Sequence, residues 1–357
     1  MKGGSTMRTK SLEDKLMKRF RPGRGKISIL LASFLVFSLG TTQLFAADYT
    51  IRAALAHAPS SSWVKAMQFF EKELEQMSGG RIEVKVHHSA TLGTTREQCE
   101  MVRLNTLEIA VPGSAQLQTY TTEIGLTVLP YIFKTEEGMF KLLDGALGKE
   151  INSKLAESNF INVGWYRNGF RSVTNSKRPI RKMEDLKGLK LRVLPSPNVM
   201  AFFKAVGVSP IHIDWAELFE AMRKGVVDGQ ENPPFFVHQG KVYEVNQYYS
   251  FTNHMNEPGI AVMSKKFYDG MPADLRKMVD TAAKKAEAWQ REKMLADNAE
   301  SLQFLKEKGM KINEIPEPEM QKFREVAYKE VFPTVIKEKM CGPRTKELID
   351  MILAAQK

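Results

Sequence analysis

Residues 49–86 constrain the fold more than any other stretch, because they switch hydrophobic period twice in under forty positions. Ile51, Ala53 and Leu55 alternate as a strand does. Ser60, Ser61 and Ser62 then supply helix N-cap chemistry, and Trp63, Met67, Phe70, Leu74 and Met77 recur at steps of four and three on one helix face. Gly79-Gly80 permits the left-handed turn that stops such a helix. Ile82, Val84 and Val86 resume alternation. Strand, helix, strand in that order predicts a parallel α/β sheet.

The same grammar runs on. Thr94 with Glu97 predicts a capping box before a helix through Met101, Val102 and Leu104. Ile109–Val111 predicts a short buried strand broken by Pro112-Gly113, and 161–165 and 190–193 predict two more strands. Asp214 with Glu217 predicts a second capping box, opening a helix that ends near Gly225, with Val226-Val227 as the strand after it. Pro272 suits the first turn of a helix of some 35 residues, faced by Leu275, Met278, Ala282, Ala286, Trp289, Leu302 and Leu305. That length exceeds an ordinary domain helix and suits a brace between two domains. There is no low-complexity linker, so domains would be joined by several crossings of the chain.

Charge sorts the 357 residues into two regions. The net charge is +11, but residues 1–46 hold nine Lys/Arg and only two acids, leaving 43 basic against 39 acidic residues, or +4, for the remainder. A residual charge that small, with no basic run, argues against nucleic acid as a partner. The basic stretch leads into the apolar Ile27–Gly40 and then Leu44-Phe45-Ala46-Ala47. This is the plan of a cleaved secretory signal peptide over residues 1–46, too short in its apolar part for a span of roughly twenty residues. The expected location is the periplasm. Cys99 and Cys341 are the only cysteines and are expected as buried, unpaired thiols.

Most catalytic motifs are missing from the sequence: no dinucleotide or phosphate loop, no nucleophile elbow, no His-Glu-x-x-His. Ser62-Trp-Val-Lys65 matches a penicillin-binding pattern without its companion motifs and reads as a cap followed by a surface lysine. The six histidines lack metal spacing, so no metal and no cofactor are expected. His57 follows the first strand, where open sheets place ligand loops, and is a candidate ligand contact.

Residues 165–257 carry the most specific signal. They include Trp165-Tyr-Arg-Asn-Gly-Phe-Arg171, Gly188-Leu-Lys-Leu-Arg192, and Gly225-Val-Val-Asp-Gly-Gln-Glu-Asn232-Pro, in that order. This ordered set resembles the extracytoplasmic solute-binding subunit of tripartite ATP-independent periplasmic (TRAP) transporters, and the resemblance extends over 49–350. It implies an α/β fold of two domains, a periplasmic solute-binding protein fold with hinge strands and a long helix spanning both. The expected division is 47–168 plus 257–296 against 169–256 plus 297–357, with the ligand cleft between them. It further implies that Arg192 pairs with a ligand carboxylate, helped by Arg171 and Asn232. The chemistry fits: a guanidinium fork donates two parallel bonds to a carboxylate and keeps its charge out of water. From alternation alone Arg192 is simply a polar residue facing opposite Leu191 and Val193, and Arg171 could instead close a structural salt bridge.

Trp215 stands where the family commonly has Phe, and Trp165 and Phe236 are further candidates to line the cleft. Aromatic rings beside an arginine suit a sugar acid or aromatic acid, while a dicarboxylate or sulfonate would also satisfy Arg192. Asp228 and Glu231 read as hinge or packing groups. The implied function is capture of a small organic acid by a monomeric protein and its delivery to membrane permease subunits, without catalysis. The alternatives are a periplasmic enzyme acting on an organic acid and a receptor feeding a sensor.

Overall fold

A computed structural model describes residues 47–356; the proposed signal peptide lies outside them. In chain order the strands are β1 (Tyr49–Ala54), β2 (Ile82–His87), β3 (Ile109–Ala110), β4 (Phe160–Tyr166), β5 (Phe170–Asn175), β6 (Lys190–Val193), β7 (Ser209–His212), β8 (Gly229–Asn232), β9 (Tyr248–Asn256), β10 (Gly259–Ser264) and β11 (Lys311–Glu314). They form two sheets, ordered β2-β1-β3-β10-β4 and β11-β9-β5-β8-β6-β7. The chain passes from the first sheet to the second at residues 167–169, between β4 and β5. It returns at 257–258, between β9 and β10.

The predicted opening is observed. Helix Ser62–Ser78 starts at Ser61, whose hydroxyl accepts from the Trp63 N–H, and ends at Gly79 with φ +61°. It connects β1 to β2, which pair in parallel. The Thr94–Glu97 capping box closes in both directions. The helix Ala273–Glu307 has the expected 35 residues; it packs against helix Ser62–Ser78 and β4 of the first sheet and against helix Pro234–Gln239, which follows β8. Cys99 and Cys341 are buried and free.

Other expectations require correction. The sheets are mixed: β10 runs antiparallel to β3 and β4, and β5 antiparallel to β8 and β9. Val226-Val227 is not a strand. Val226 is exposed, and β8 begins at Gly229, where the backbone of Thr174 comes too close for any Cβ. Asp214 is the N-cap of helix Trp215–Arg223 but its side chain makes no cap bond; it lies 3.5 Å from His212 Nε2 instead. The strand Ile109–Ala110 stops one residue short of Val111. The strands least visible in the sequence, β5 and β9, are polar through much of their length and buried nonetheless.

Candidate functional site

A cavity of about 450 Å³, counting the part that opens to solvent, lies between the two sheets. Its walls come from the ends of strands, as expected for open α/β sheets. From the first sheet's side come His57 just after β1, Trp63, Thr95, Gly113 just after β3, and Gln116. From the second come Arg171, Arg192, Leu194, Trp215, Asn232 and Phe236, and the two crossings add Asn168 and Glu257.

Arg171 sits where β5 and β9 lose register: Arg171 faces Met255, but Val173 already faces Ser250. Such an irregularity re-aims side chains. The extra residues of β9 are secured locally, with Asn253 at φ +39° and its N–H donating to Ser172 Oγ at 3.1 Å. Arg171 is 2% exposed and fully engaged. Its Nε and Nη2 grip the Glu231 carboxylate, Nη2 also donates to the Glu231 carbonyl, and Nη1 donates to Glu257 Oε2 at 3.0 Å. His254 Nε2 lies 3.3 Å from the same Glu231. Burial pushes the Glu231 carboxyl up, but Arg171 and His254 more than reverse this and hold it at about 2. Burial holds His254 below its usual value despite Glu231, so it is neutral at neutral pH.

Arg192, on β6, is equally buried at 2% exposure but is bonded quite differently. Its Nε donates to the Ile213 carbonyl at 2.8 Å, and among the described residues it forms no ion pair. Burial, with the repulsion of Arg171, lowers its pKa to about 10, so it still carries its charge. Asn232, at the end of β8, donates its amide to Gln230, while its backbone carbonyl accepts from Tyr249 Oη at 3.0 Å. Trp215 opens its helix at the cavity wall and meets Phe236 edge-on at 5.8 Å between centroids. His57 lies 4.7 Å from the Trp63 ring and 5.3 Å from Phe236. The His57 side chain is half-buried, yet its Nδ1 is enclosed with no hydrogen-bond partner among the described residues. Burial lowers its pKa to about 4.

Of the seven residues singled out in the sequence, the structure brings six to this cavity: His57, Arg171, Arg192, Trp215, Asn232 and Phe236. Trp165 is a correction. Its ring packs in the core, and its backbone is tied to the long helix through Glu287 Oε1 and Arg291 Nε. Its neighbour Tyr166 belongs to the core on the opposite face of the sheet. Sequence reasoning missed Trp63, Thr95, Gly113, Gln116, Asn168, Leu194 and Glu257. Trp63 was hidden because it also belongs to the apolar helix face, and its indole donates to the Arg167 carbonyl at the crossing. Gly113 and Glu257 flank strand ends, and that position was their only available signal.

A buried cation with no anionic partner among the described residues, beside aromatic rings in an interdomain cavity, is equipped to hold a small acid. Among the described residues no helix is long and apolar enough to cross a membrane. The model of the DctP family, bacterial extracellular solute-binding protein family 7, matches residues 53–337. A solute-binding protein of Verminephrobacter eiseniae is 32% identical over 267 residues, covering 75% of this chain and 80% of that one. The sugar acid binding protein of Advenella mimigardefordensis, solved with galactonate, superposes with a TM-score of 0.82 at 31% identity, covering 86% of this chain and 97% of that one. A TRAP periplasmic solute-binding protein from Sulfitobacter, solved with β-D-galacturonate, gives 0.80 at 28% identity, covering 85% and 99%. The chain therefore belongs to family 7 of the bacterial extracellular solute-binding proteins, and it binds solute for transport and is not an enzyme.

Proposed function

We propose that the protein captures a sugar acid, of the uronate or aldonate kind, and presents it to a separate TRAP-type membrane permease. The observation that carries the reading is Arg192: a buried guanidinium whose one hydrogen bond among the described residues leaves its Nη groups uncommitted, in the wall of a cavity that both sheets share. Arg192 is the carboxylate anchor. Arg171, already gripped by two carboxylates, holds the site's geometry and contributes field more than direct bonds. Trp63, Trp215, Phe236 and His57 offer ring edges and faces suited to the C–H face of a pyranose. Asn168 Oδ1, which has no hydrogen-bond partner among the described residues, and the Gln116 amide suit hydroxyl groups. Likeness to proteins solved with galactonate and galacturonate supports the same ligand class.

Residues 47–168 with 257–296 and residues 169–256 with 297–357 form the two lobes, hinged at the crossings. Residues 1–46 are removed on export, and the mature protein works as a monomer in the periplasm. Titration calorimetry with galacturonate, galactonate, succinate and benzoate tests the ligand reading. The expected result is a dissociation constant of about 10 μM or tighter for a sugar acid and weaker binding of the other two. If succinate or benzoate bound more tightly than either sugar acid, the proposed ligand class would be wrong.

A further inference from the structure

Glu257 is an ionisable group that faces the cavity. It stands on the second crossing, just before β10, and is 2% exposed. Its Oε1 accepts from the Ala115 N–H at 3.2 Å and its Oε2 from Arg171 Nη1 at 3.0 Å. Gly113 makes room for it, since a Cβ there would lie 2.4 Å from Oε1. The carboxyl is thus clasped between the backbone after β3 and a cation of the second sheet. Charged groups reach it from each packed element: Arg171 on β5, Arg192 on β6 and Glu231 on β8. On β9, the strand that leads into it, stand His254 and Asn256, the latter bonded to Glu136, itself paired with Arg167. The other polar residues lining the cavity near it, Gln116, Asn168 and Asn232, carry no charge.

The charge balance of this cluster decides what binding requires. Arg171 and Arg192 are cations, and Glu231 and Glu257, when ionised, cancel them. A ligand carboxylate on Arg192 then leaves one uncompensated negative charge in a site largely removed from water, which is strongly unfavourable. A proton would relieve it. Glu231 is a poor acceptor, because Arg171 grips both its oxygens and His254 lies alongside. Glu257 has a single cationic hydrogen bond and a like-charged neighbour. Burial raises its carboxyl above the usual range, and Glu231 adds to this against the pull of Arg171.

We propose that Glu257 takes up one proton from solvent when the sugar acid binds, so that the anion is captured with its own neutralising charge. This rests on the assignment of the cavity as a sugar-acid site. In the complex the added anion lifts the Glu257 pKa above its value in the free protein. Affinity is therefore greatest below the free-protein pKa, weakens by up to tenfold per pH unit between the two values, and levels off above the upper one.

Calorimetric titration of galacturonate in phosphate and in Tris, whose ionisation heats differ widely, reads proton uptake directly. Over pH ~5 to ~8.5 the uronate itself stays ionised. The expected result is an uptake that approaches one proton per ligand within that range and disappears in Glu257→Gln, whose affinity is flat with pH. Infrared difference spectra of the unaltered protein should show a protonated-carboxyl band growing on binding, which supplies the same answer if Glu257→Gln folds poorly. Galacturonate binding with no proton uptake at any pH would overturn the inference alone, as would uptake that persists in Glu257→Gln. Failure of both galacturonate and galactonate to bind would overturn the site assignment and the inference together.

Discussion

Replacing Arg192 by Ala separates a ligand anchor from a structural residue, because the two roles give opposite results in two simple measurements. In the complex, the variant leaves a buried ligand carboxylate without its main cation. Truncating one member of such a pair costs about 2–5 kcal/mol, which is roughly thirtyfold to several thousandfold in affinity. In the free protein the terms oppose one another. The lost bond to the Ile213 carbonyl costs about 1 kcal/mol, and the lost methylenes add about 2. Against this, a guanidinium whose pKa is pressed from 12.5 to about 10 is poorly accommodated when charged, and removing it returns on the order of 3 kcal/mol. The free variant should therefore melt within a few degrees of the unaltered protein. Arg192→Lys should regain part of the lost affinity, since an ammonium keeps the charge and loses the fork. Calorimetry with galacturonate and thermal melts of the free proteins provide both numbers. Affinity within threefold of normal in Arg192→Ala, or a melting temperature lower by about 10 °C or more, would refute the argument.

The other predictions concern the rest of the cluster and the chain's ends. Arg171→Ala strips Glu231 and Glu257 of their cation at once, so the ligand-free protein should lose about 3–5 kcal/mol; an unchanged melt would show these ion pairs to be energetically idle. His57 has a folded pKa of about 4, below the unfolded value, so the unfolded chain binds the proton first and stability falls as pH drops from about 6.5 to about 4. Melts of His57→Gln should be flatter over that range than those of the unaltered protein. Glu231, held at about 2, contributes stability that is complete above its unfolded pKa and is lost only as pH falls toward about 2, which the Glu231→Gln melts at pH 7 and in strong acid can check. Small-angle scattering should show a smaller radius with galacturonate than without if the lobes close on it. N-terminal sequencing of exported protein should begin within two residues of Ala47.

Much of the framework was legible because it is written in local chemistry. The Ser61 cap, the Gly79 stop, the Thr94–Glu97 box and the 35-residue helix each depend on residues adjacent in sequence, and each formed as expected. Asp214–Glu217 shows the limit. The same pattern yielded an N-cap without its side-chain bond, because His212 stands close enough to compete for the Asp214 carboxylate. The strands β5 and β9 were hard to see for a different reason. Ser172, Thr174, Asn175, Ser250 and Thr252 are buried polar residues whose side chains bond to the neighbouring strand and to nearby loops, so no apolar alternation marks them.

The two arginines show why the site itself was only partly readable. Arg171 and Arg192 are the same residue type, both on strands and both 2% exposed. What distinguishes them is the partner: Glu231 and Glu257 for one, a lone backbone carbonyl for the other. Those partners lie 60, 86 and 21 positions away in sequence, and it is the pairing of β5 with β8 on one side and with β9 on the other that brings the first two together around Arg171. The tryptophans repeat the lesson. Trp215 reaches the cavity because a helix begins there, at the edge of the second sheet. Trp165 is spent in the core because β4 is covered on both faces, so neither parity of its strand leads to the cleft. Residue type and spacing thus announce the chemistry available to the protein. Whether a given arginine is free to use that chemistry on a ligand is decided by which carboxylates the fold has already delivered to it.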